Sequence, residues 1–509
     1  MPAVQDLNLV MKALESALQK PLPSEAMMKA AGWLQSSSAT SGITMYDLEL
    51  GAKQLFPVLT PLRNSIARIG GGTGTATNWR AVTGINTTNI EAGVSEGNRG
   101  ATITHSTQDF TAAYRGIGLE DFVTFESDYA AMGFDNVRAL AVASLLSAVM
   151  IQEEQLILGG NTSLALGTTP TPSTTTSTTG GTLAAATYNV FCVALTQNGY
   201  FVSSVAGGVR AAVSRTNADG SSDNYGGGSA QKSAAASQVT TGATSTISAS
   251  VTAVNGAVAY AWYWGTAGNE LLGAITTINS VLISANATGT QNISALPSSD
   301  NSRNALVFDG LLTQIFTSGS NAYINRLATG VAGTGTPLTS ANDGGIVEFD
   351  TALRAFWDNY RLSPNEIWVS SQEQQNITKK IMAAPSTAAQ RFVFNVSQGS
   401  IMGGSVALSY LNRFGMAAGT AGGEYAMGSQ LPIKVHPNLP PGTVVFRTTA
   451  LPYKLNNVPN ILQIKTRREY YQLEWPLRTR KYEYGVYADE VLQNYFPPAF
   501  GVISNIGNG

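Results

Sequence analysis

Residues 128–158 read as one long helix, and no other stretch restricts the possible folds as much. Val137, Ala141, Leu145, Ala148, Gln152 and Leu156 recur at helical spacing, with Phe134 and Ile151 beside the same stripe. No proline interrupts the run. Asp128 is the expected N-cap and Gly159-Gly160 the expected stop, because glycine accepts the left-handed conformation that ends helices. At about 1.5 Å per residue the helix would extend roughly 45 Å, too long for a compact core and suited to a strut.

The strut needs partners, and the 509 residues are enough for two or three domains. Hydrophobic residues make up 43%, so cores can be built, whereas charged residues make up only 12%, well below the usual share. Such a surface, covered by small neutral groups, suits β-rich proteins that pack against copies of themselves. The net charge of −2 gives no electrostatic footprint for nucleic acid. The single cysteine, Cys192, excludes an intramolecular disulfide framework and any multi-cysteine metal site. The start of the chain lacks the basic-then-apolar pattern of a signal peptide. No apolar run is expected to span a bilayer, since Arg138, Glu153 and Glu154 interrupt the long helix. A soluble protein made in the cytoplasm is expected.

Residues 1–59 read as an arm. Val4, Leu7, Met11, Leu14 and Leu18 form one amphipathic stripe ended by Pro21 and Pro23, and a second short helix follows over 24–34. Residues 60–119 read as strands separated by glycine-rich turns, a long β excursion. Its Gly-x-Gly spacing lacks the Gly-Lys-Ser/Thr ending of a phosphate loop. Residues 167–300 open on a Thr/Ser/Gly linker and continue as short strands, with Asn198-Gly199 as a turn and a strand over 275–283. They predict an immunoglobulin-like β-sandwich of roughly 110–120 residues. Trp262 and Trp264 are expected to place one ring in its core and one on its surface, and Cys192 is a small buried hydrophobe.

Residues 301–440 predict an α+β domain. It has a helix over 305–316 and another through Ile346, Phe349, Leu353, Phe356 and Tyr360. A strand follows at 366–369, then a third helix opened by the capping box Ser370-x-x-Glu373, and a glycine-rich loop over 399–428. Residues 441–509 are strands expected to lie on the long helix and to complete, with 120–166, the domain it began.

No His-Glu-x-x-His, Gly-x-Ser-x-Gly or Walker sequence occurs. His436 reads as structural and His105 as exposed. Glu153 and Glu154 are neighbours on a helix and point apart, which is poor material for an acid/base dyad. Arg467, Arg468, Glu469, Glu474, Arg478, Arg480, Lys481 and Glu483 mix signs along two strands. Mixed signs fit a rotated copy of the same surface better than a nucleic acid. Trp79, Arg80 and Arg99 on the β excursion are further candidates for contact between subunits.

The order of parts, together with the sequence Tyr114-Arg115-Gly116-Ile117-Gly118-Leu119-Glu120-Asp121 and the terminal block from Arg467 to Pro498, resembles tailed-phage major capsid proteins of the Hong Kong 97 type. The resemblance covers the chain except the sandwich, which looks like an immunoglobulin-like insertion. It implies an α+β capsid fold: N-terminal arm, extended loop reaching over a neighbour, spine helix in a peripheral domain, and axial domain. It also implies a structural subunit that forms hexamers and pentamers, encloses double-stranded DNA and meets portal, scaffolding or decoration proteins. It places the chain in a virion assembled in the bacterial cytoplasm, with no enzyme activity, cofactor, metal or membrane. Some relatives weld the shell with lysine–asparagine bonds from the extended loop. Residues 60–119 contain no lysine, so that chemistry is not expected. The alternatives are an encapsulin-type compartment and a surface-binding adhesin.

Overall fold

The computed structural model describes residues 55–508 except 87–91, 133–135, 218, 297, 342–343, 383–406, 415–428 and 455. The amphipathic stripes expected in the first 34 residues, Phe134, and most of the glycine-rich 399–428 loop lie outside them. Two units are present, one of Met1–Phe56 with Glu126–Val137 and one of Pro57–Phe125 with Arg138–Gly509. The first is described only at 55–56, 126–132 and 136–137.

The chain begins with helix α1 (Pro61–Ser65), strand β1 (Ala67–Ile69), and the paired strands β2 (Ala76–Asn86) and β3 (Thr104–Ala113). Strand β4 (Arg115–Thr124), a short helix α2 (Phe125–Ala130) and the long helix α3 (Val137–Gly159) follow. The β excursion expected over 60–119 is therefore narrower. Its ends, β1 and β4, join a different sheet, and only β2 and β3 form a separate two-stranded ladder.

Helix α3 starts nine residues later than the periodicity predicts, and Asp128 lies inside α2 instead of capping α3. Its 23 residues extend about 34 Å. Its buried row is Leu145, Val149, Glu153 and Ile157, while Gln152 is exposed. The face is thus turned from the predicted one. Apolar side chains occur all round α3, so spacing among them selects no side. In length and mean hydropathy (1.4) α3 matches a membrane-crossing helix, contrary to expectation. Both carboxylates that interrupt it are nonetheless fully buried in the protein. The stop at Gly159-Gly160 is as expected, but neither glycine is left-handed. They are required by close approach: a Cβ on Gly159 would stand 2.1 Å from Gln197 Oε1, and one on Gly160 would stand 2.4 Å from the Phe308 carbonyl.

Between 173 and 283 the strands are β5 (Ser173–Ser177), β6 (Thr187–Leu195), β7 (Val213–Thr216), β8 (Ser222–Tyr225), β9 (Ala236–Val239), β10 (Thr246–Ser250), β11 (Ala259–Gly265), β12 (Leu271–Thr276) and β13 (Ser280–Ile283). They form antiparallel sheets β13-β10-β5 and β12-β11-β6-β9, and the hairpin β7-β8. Asn198-Gly199 is not a turn. It lies in helix α4 (Gln197–Val202), whose first turn is capped by the Thr196 hydroxyl accepting the Gly199 N–H at 3.2 Å. The strand expected over 275–283 is broken into β12 and β13.

Trp262 and Trp264 are both buried in the core between the sheets, with Cys192, Ile247, Ala249 and Ile283. Residues two apart on a strand share a face, so one ring inside and one outside was not possible. Tyr263 points the other way and is also fully buried, among Val193, Leu195, Leu272, Ile293 and Leu296. Strand β11 is therefore covered on both faces. Each polar tip is satisfied: Trp262 Nε1 donates to Thr276 Oγ1 at 2.8 Å, Trp264 Nε1 to the Ala285 carbonyl at 2.9 Å, and Tyr263 OH to Gln291 Oε1 at 2.6 Å. Burial pushes the Cys192 thiol well above its ordinary value, which makes it a poor nucleophile.

The rest of the chain contains helices α5 (Leu311–Phe316), α6 (Val347–Tyr360) and α7 (Ser371–Met382). Its strands are β14 (Tyr323–Arg326), β15 (Glu366–Val369), β16 (Ser409–Asn412), β17 (Ser429–Val435), β18 (Val444–Arg447), β19 (Leu462–Glu474), β20 (Lys481–Asn494) and β21 (Phe500–Ser504). Helix α5 is shorter than the expected 305–316. Helix α6 follows its predicted stripe and ends at Arg361, which is left-handed (φ 52°). The capping box is half formed. Ser370 Oγ accepts the Glu373 N–H at 3.3 Å, but the Glu373 carboxylate accepts the Gly442 N–H at 3.1 Å instead of closing the box.

A six-stranded mixed sheet runs β14-β21-β18-β15-β17-β16, and a four-stranded sheet runs β1-β19-β20-β4. Residues 441–509 are thus divided: β18 and β21 join β15 and β17, and only β19 and β20 join the strands next to the arm. One hydrophobic cluster reaches from Leu62, Ile117 and Ile157 through Phe349, Phe356 and Phe446 to Ile464 and Ala488.

Because β11 has no solvated face, Tyr263→Ala is expected to destabilise the protein by about 3–5 kcal/mol, as much as Trp262→Ala. Equilibrium urea unfolding checks this, and a cost near zero at 263 would contradict the second core.

Candidate functional site

Two features stand out once the chain is folded: an arm with little to touch, and a buried charged clamp at its root. The arm is the ladder of β2 and β3. At its base the Trp79 ring stacks on Phe110 (5.6 Å between centroids) and meets Tyr495 edge-on (5.6 Å). Further out, every described residue from 92 to 109 is exposed. A register shift between Val82 and Gly84 places Val82 opposite Thr107 and Ile85 opposite His105. The extra residue keeps Val82 and Ile85 on one face. Their exposures are 63% and 53%, and on the same face Arg80 grips Asp109 with two bonds of 2.6 and 2.9 Å.

The clamp begins with Glu154 on α3. Its Oε1 accepts the Leu62 N–H at 2.9 Å and its Oε2 the Arg63 N–H at 2.6 Å. These are free first-turn donors of α1, whose own N-cap Thr60 makes no side-chain cap. The carboxylate therefore caps α1 from another part of the chain, where negative charge is favoured. His436 Nε2 donates to the same Oε1 at 2.6 Å, and its Nδ1 accepts the Asn438 N–H at 3.0 Å, which fixes the tautomer. Next to Glu154, Glu153 accepts from Arg63 Nε at 2.6 Å, from Arg68 Nη1 and from Tyr470 OH. Arg68 Nη2 then reaches Glu490 Oε2 on β20 at 2.7 Å and Glu469 at 3.3 Å. Burial first, and then the facing Glu153 carboxylate, push Glu490 up to about 8 against the pull of Arg68. From α1's other end, Ser65 is held by Arg447 of β18, through Oγ at 2.6 Å and its carbonyl at 3.1 Å.

The contact candidates read from the sequence fall into two groups. Most are engaged within the chain. Trp79 packs at the arm's base and Arg80 pairs with Asp109. Arg467 binds Asp489 at 2.6 Å and the Gly74 carbonyl at 2.8 Å. Glu469 joins Arg68 and accepts from Thr466 Oγ1 at 2.7 Å. Glu474 accepts from Arg138 at 3.2 Å, Lys481 and Glu483 pair at 2.6 Å, and the Arg480 carbonyl accepts the Phe125 N–H at 3.2 Å. Arg468 lies over the Tyr471 ring at 3.8 Å with its side chain exposed, and Arg99 and Arg478 are exposed. The mixed-sign strands thus fix their own register first. Sequence reasoning missed Arg63, Arg68, Glu490 and the role of Glu154. The available signal was an adjacent carboxylate pair in an otherwise apolar helix.

Among the described residues, no three His, Cys, Asp or Glu side chains gather as a metal site. No family model and no curated protein matches the chain. Solved structures do. The capsid of a native GTA particle is 9% identical, over 93% of this chain and 100% of that one, at a TM-score of 0.39. The capsid of Myoviridae phage XM1 is 9% identical, over 90% and 95%, at 0.37. The cyanophage A-1(L) capsid is 12% identical, over 91% and 97%, at 0.38.

Arg68→Met would leave the buried Glu490 without its guanidinium partner and Glu153 with Arg63 and Tyr470 alone, and is expected to cost about 3–5 kcal/mol. Arg80→Met, in a fully exposed pair, is expected to leave the urea midpoint unchanged. Equal shifts for the two variants would contradict the clamp.

Proposed function

We propose that this chain is the structural subunit of a tailed-phage head of the Hong Kong 97 type, self-assembling into hexamers and pentamers around double-stranded DNA. The observation that carries the reading is the arm. A two-stranded ladder standing alone in water is marginal, and one that also shows Val82 and Ile85 to solvent gains from a surface to lie on. A second copy of the chain supplies that surface in a closed shell. Helix α3 supports the same reading, since between 138 and 150 only Leu145 and Val149 are buried although the helix is strongly apolar. In this reading α3 is the spine, the sheet β1-β19-β20-β4 the peripheral layer, and the six-stranded sheet the axial layer. The sheets between 173 and 283 form an immunoglobulin-like insertion. Arg99, Arg468 and Arg478 are proposed contacts between subunits. With a net charge of −2, contact with DNA is weak and unspecific, and the genome is held by confinement. Portal, scaffolding and decoration proteins are the remaining partners, and assembly takes place in the host cytoplasm.

Electron microscopy of the purified protein tests this. Closed shells with local six-fold and five-fold clusters are expected, and a protein that stays monomeric at all concentrations refutes the reading. Val82→Glu with Ile85→Glu is expected to abolish shells while leaving the circular dichroism spectrum and unfolding midpoint unchanged. Shells formed as before would show that this arm face contacts no neighbour.

Deletion of residues 168–299 with a short linker is expected to leave a body that assembles at reduced stability. The cut removes Val258 from the main cluster and breaks two bonds to Asn505, whose Oδ1 accepts the Asn279 N–H at 2.8 Å and whose Nδ2 donates to Asn279 Oδ1 at 3.0 Å. Thermal unfolding and microscopy of the deletion read both effects.

A further inference from the structure

The clamp contains more negative than positive groups. Glu153, Glu154 and Glu490 are fully buried, and the guanidiniums that reach them are Arg63 and Arg68. His436 Nδ1 accepts the Asn438 N–H, and its Nε2 faces Glu154 alone. Glu469 draws on Arg68 as well. Arg115 stands opposite Glu490 in the β4–β20 ladder, yet its buried Nε has no hydrogen-bond partner. Glu490 Oε1 is likewise buried without a donor. An ionised oxygen in that position is costly, whereas a carboxylic acid there can donate to the facing Glu153.

We propose that Glu490 and Glu153 share one proton, and that this proton latches the root of the arm to the long helix through Arg68. Arg68 lies in β1, which leads directly into the turn before β2. When the carboxyl pair is singly protonated, Arg68 bridges both carboxyls and holds β1 against β19, α3 and β20. Around the pair stand Arg63 from α1, Arg68 from β1, Glu154 from α3, Glu469 and Tyr470 from β19, and Arg115 from β4, with His436 reached through Glu154. Opening the latch exposes Glu490, which then returns to the ordinary carboxyl value of 4.5. The closed state binds the proton more tightly than the open one. The latch is therefore firmest below about pH 4.5, weakens as pH rises toward about 8, and changes no further above it. Alkaline conditions free the arm and acid conditions hold it. The inference rests on the clamp and is independent of the shell reading.

Hydrogen–deuterium exchange of the full chain tests it, with rates corrected for intrinsic exchange. Protection of the Ala67–Ile69 amides is expected to fall by up to about tenfold per pH unit between about pH 5 and 8 in the parent protein. In Glu490→Gln, a neutral isostere of the protonated acid, the slope should flatten. A folded Glu490→Gln protein with the parent's slope overturns the proposal. Infrared difference spectra of the parent protein need no variant. A protonated-carboxyl band present near neutral pH should disappear above about pH 9, and a spectrum without such a band at neutral pH overturns the shared proton.

Discussion

A carboxylate on one helix, Glu154, satisfies the free backbone donors of another helix more than ninety residues earlier. The rest of the architecture depends on this contact. Helix α1 is only five residues long and could not persist by propensity. With Glu154 at its first turn and Arg447 at its last, it becomes a fixed point from which β1 and then the arm emerge. The neighbouring Glu153 repeats the device on the other side through Arg63, Arg68 and Tyr470. An adjacent carboxylate pair, whose members point apart, thus joins α1, β1, β19 and β20 to the same end of α3.

The cost of such a junction explains its form. Buried carboxylates are tolerated where donors surround them, and Glu154 has three. Glu490 has one guanidinium bond and a bare second oxygen, so it takes up a proton instead. The same element that anchors the arm is therefore sensitive to pH, for a reason set by the count of charges and donors inside the junction.

The sheets follow a similar economy of cover. Strand β11 lies between two cores, and its aromatic residues supply both. Strand β20 is buried along most of its length between β19 and β4. The arm is the contrast: cross-strand hydrogen bonds and the Arg80–Asp109 pair hold its shape, but its outer part has no core. A surface of this kind is complete only in contact with something else, which is why the shell reading follows from the exposed β2–β3 ladder more than from any pocket.

Much of this was legible in the residues. The period of 3.6 located α6 through Phe349, Leu353 and Phe356. The strand at 366–369 came out at its full length, because these are local patterns and local sterics decide them. His436 was recognisable as structural and Cys192 as a buried hydrophobe. The face that α3 buries was not legible, since its apolar residues lie on every side and only the folded chain selects Leu145, Val149 and Glu153. Nor were the two covers of β11 or the division of the terminal strands between two sheets. The clamp was the least visible. Arg63, Arg68, Glu153, Glu154, His436, Tyr470 and Glu490 come from distant parts of the chain. Their roles exist only once folding removes water and each charge must find a partner within a few ångströms.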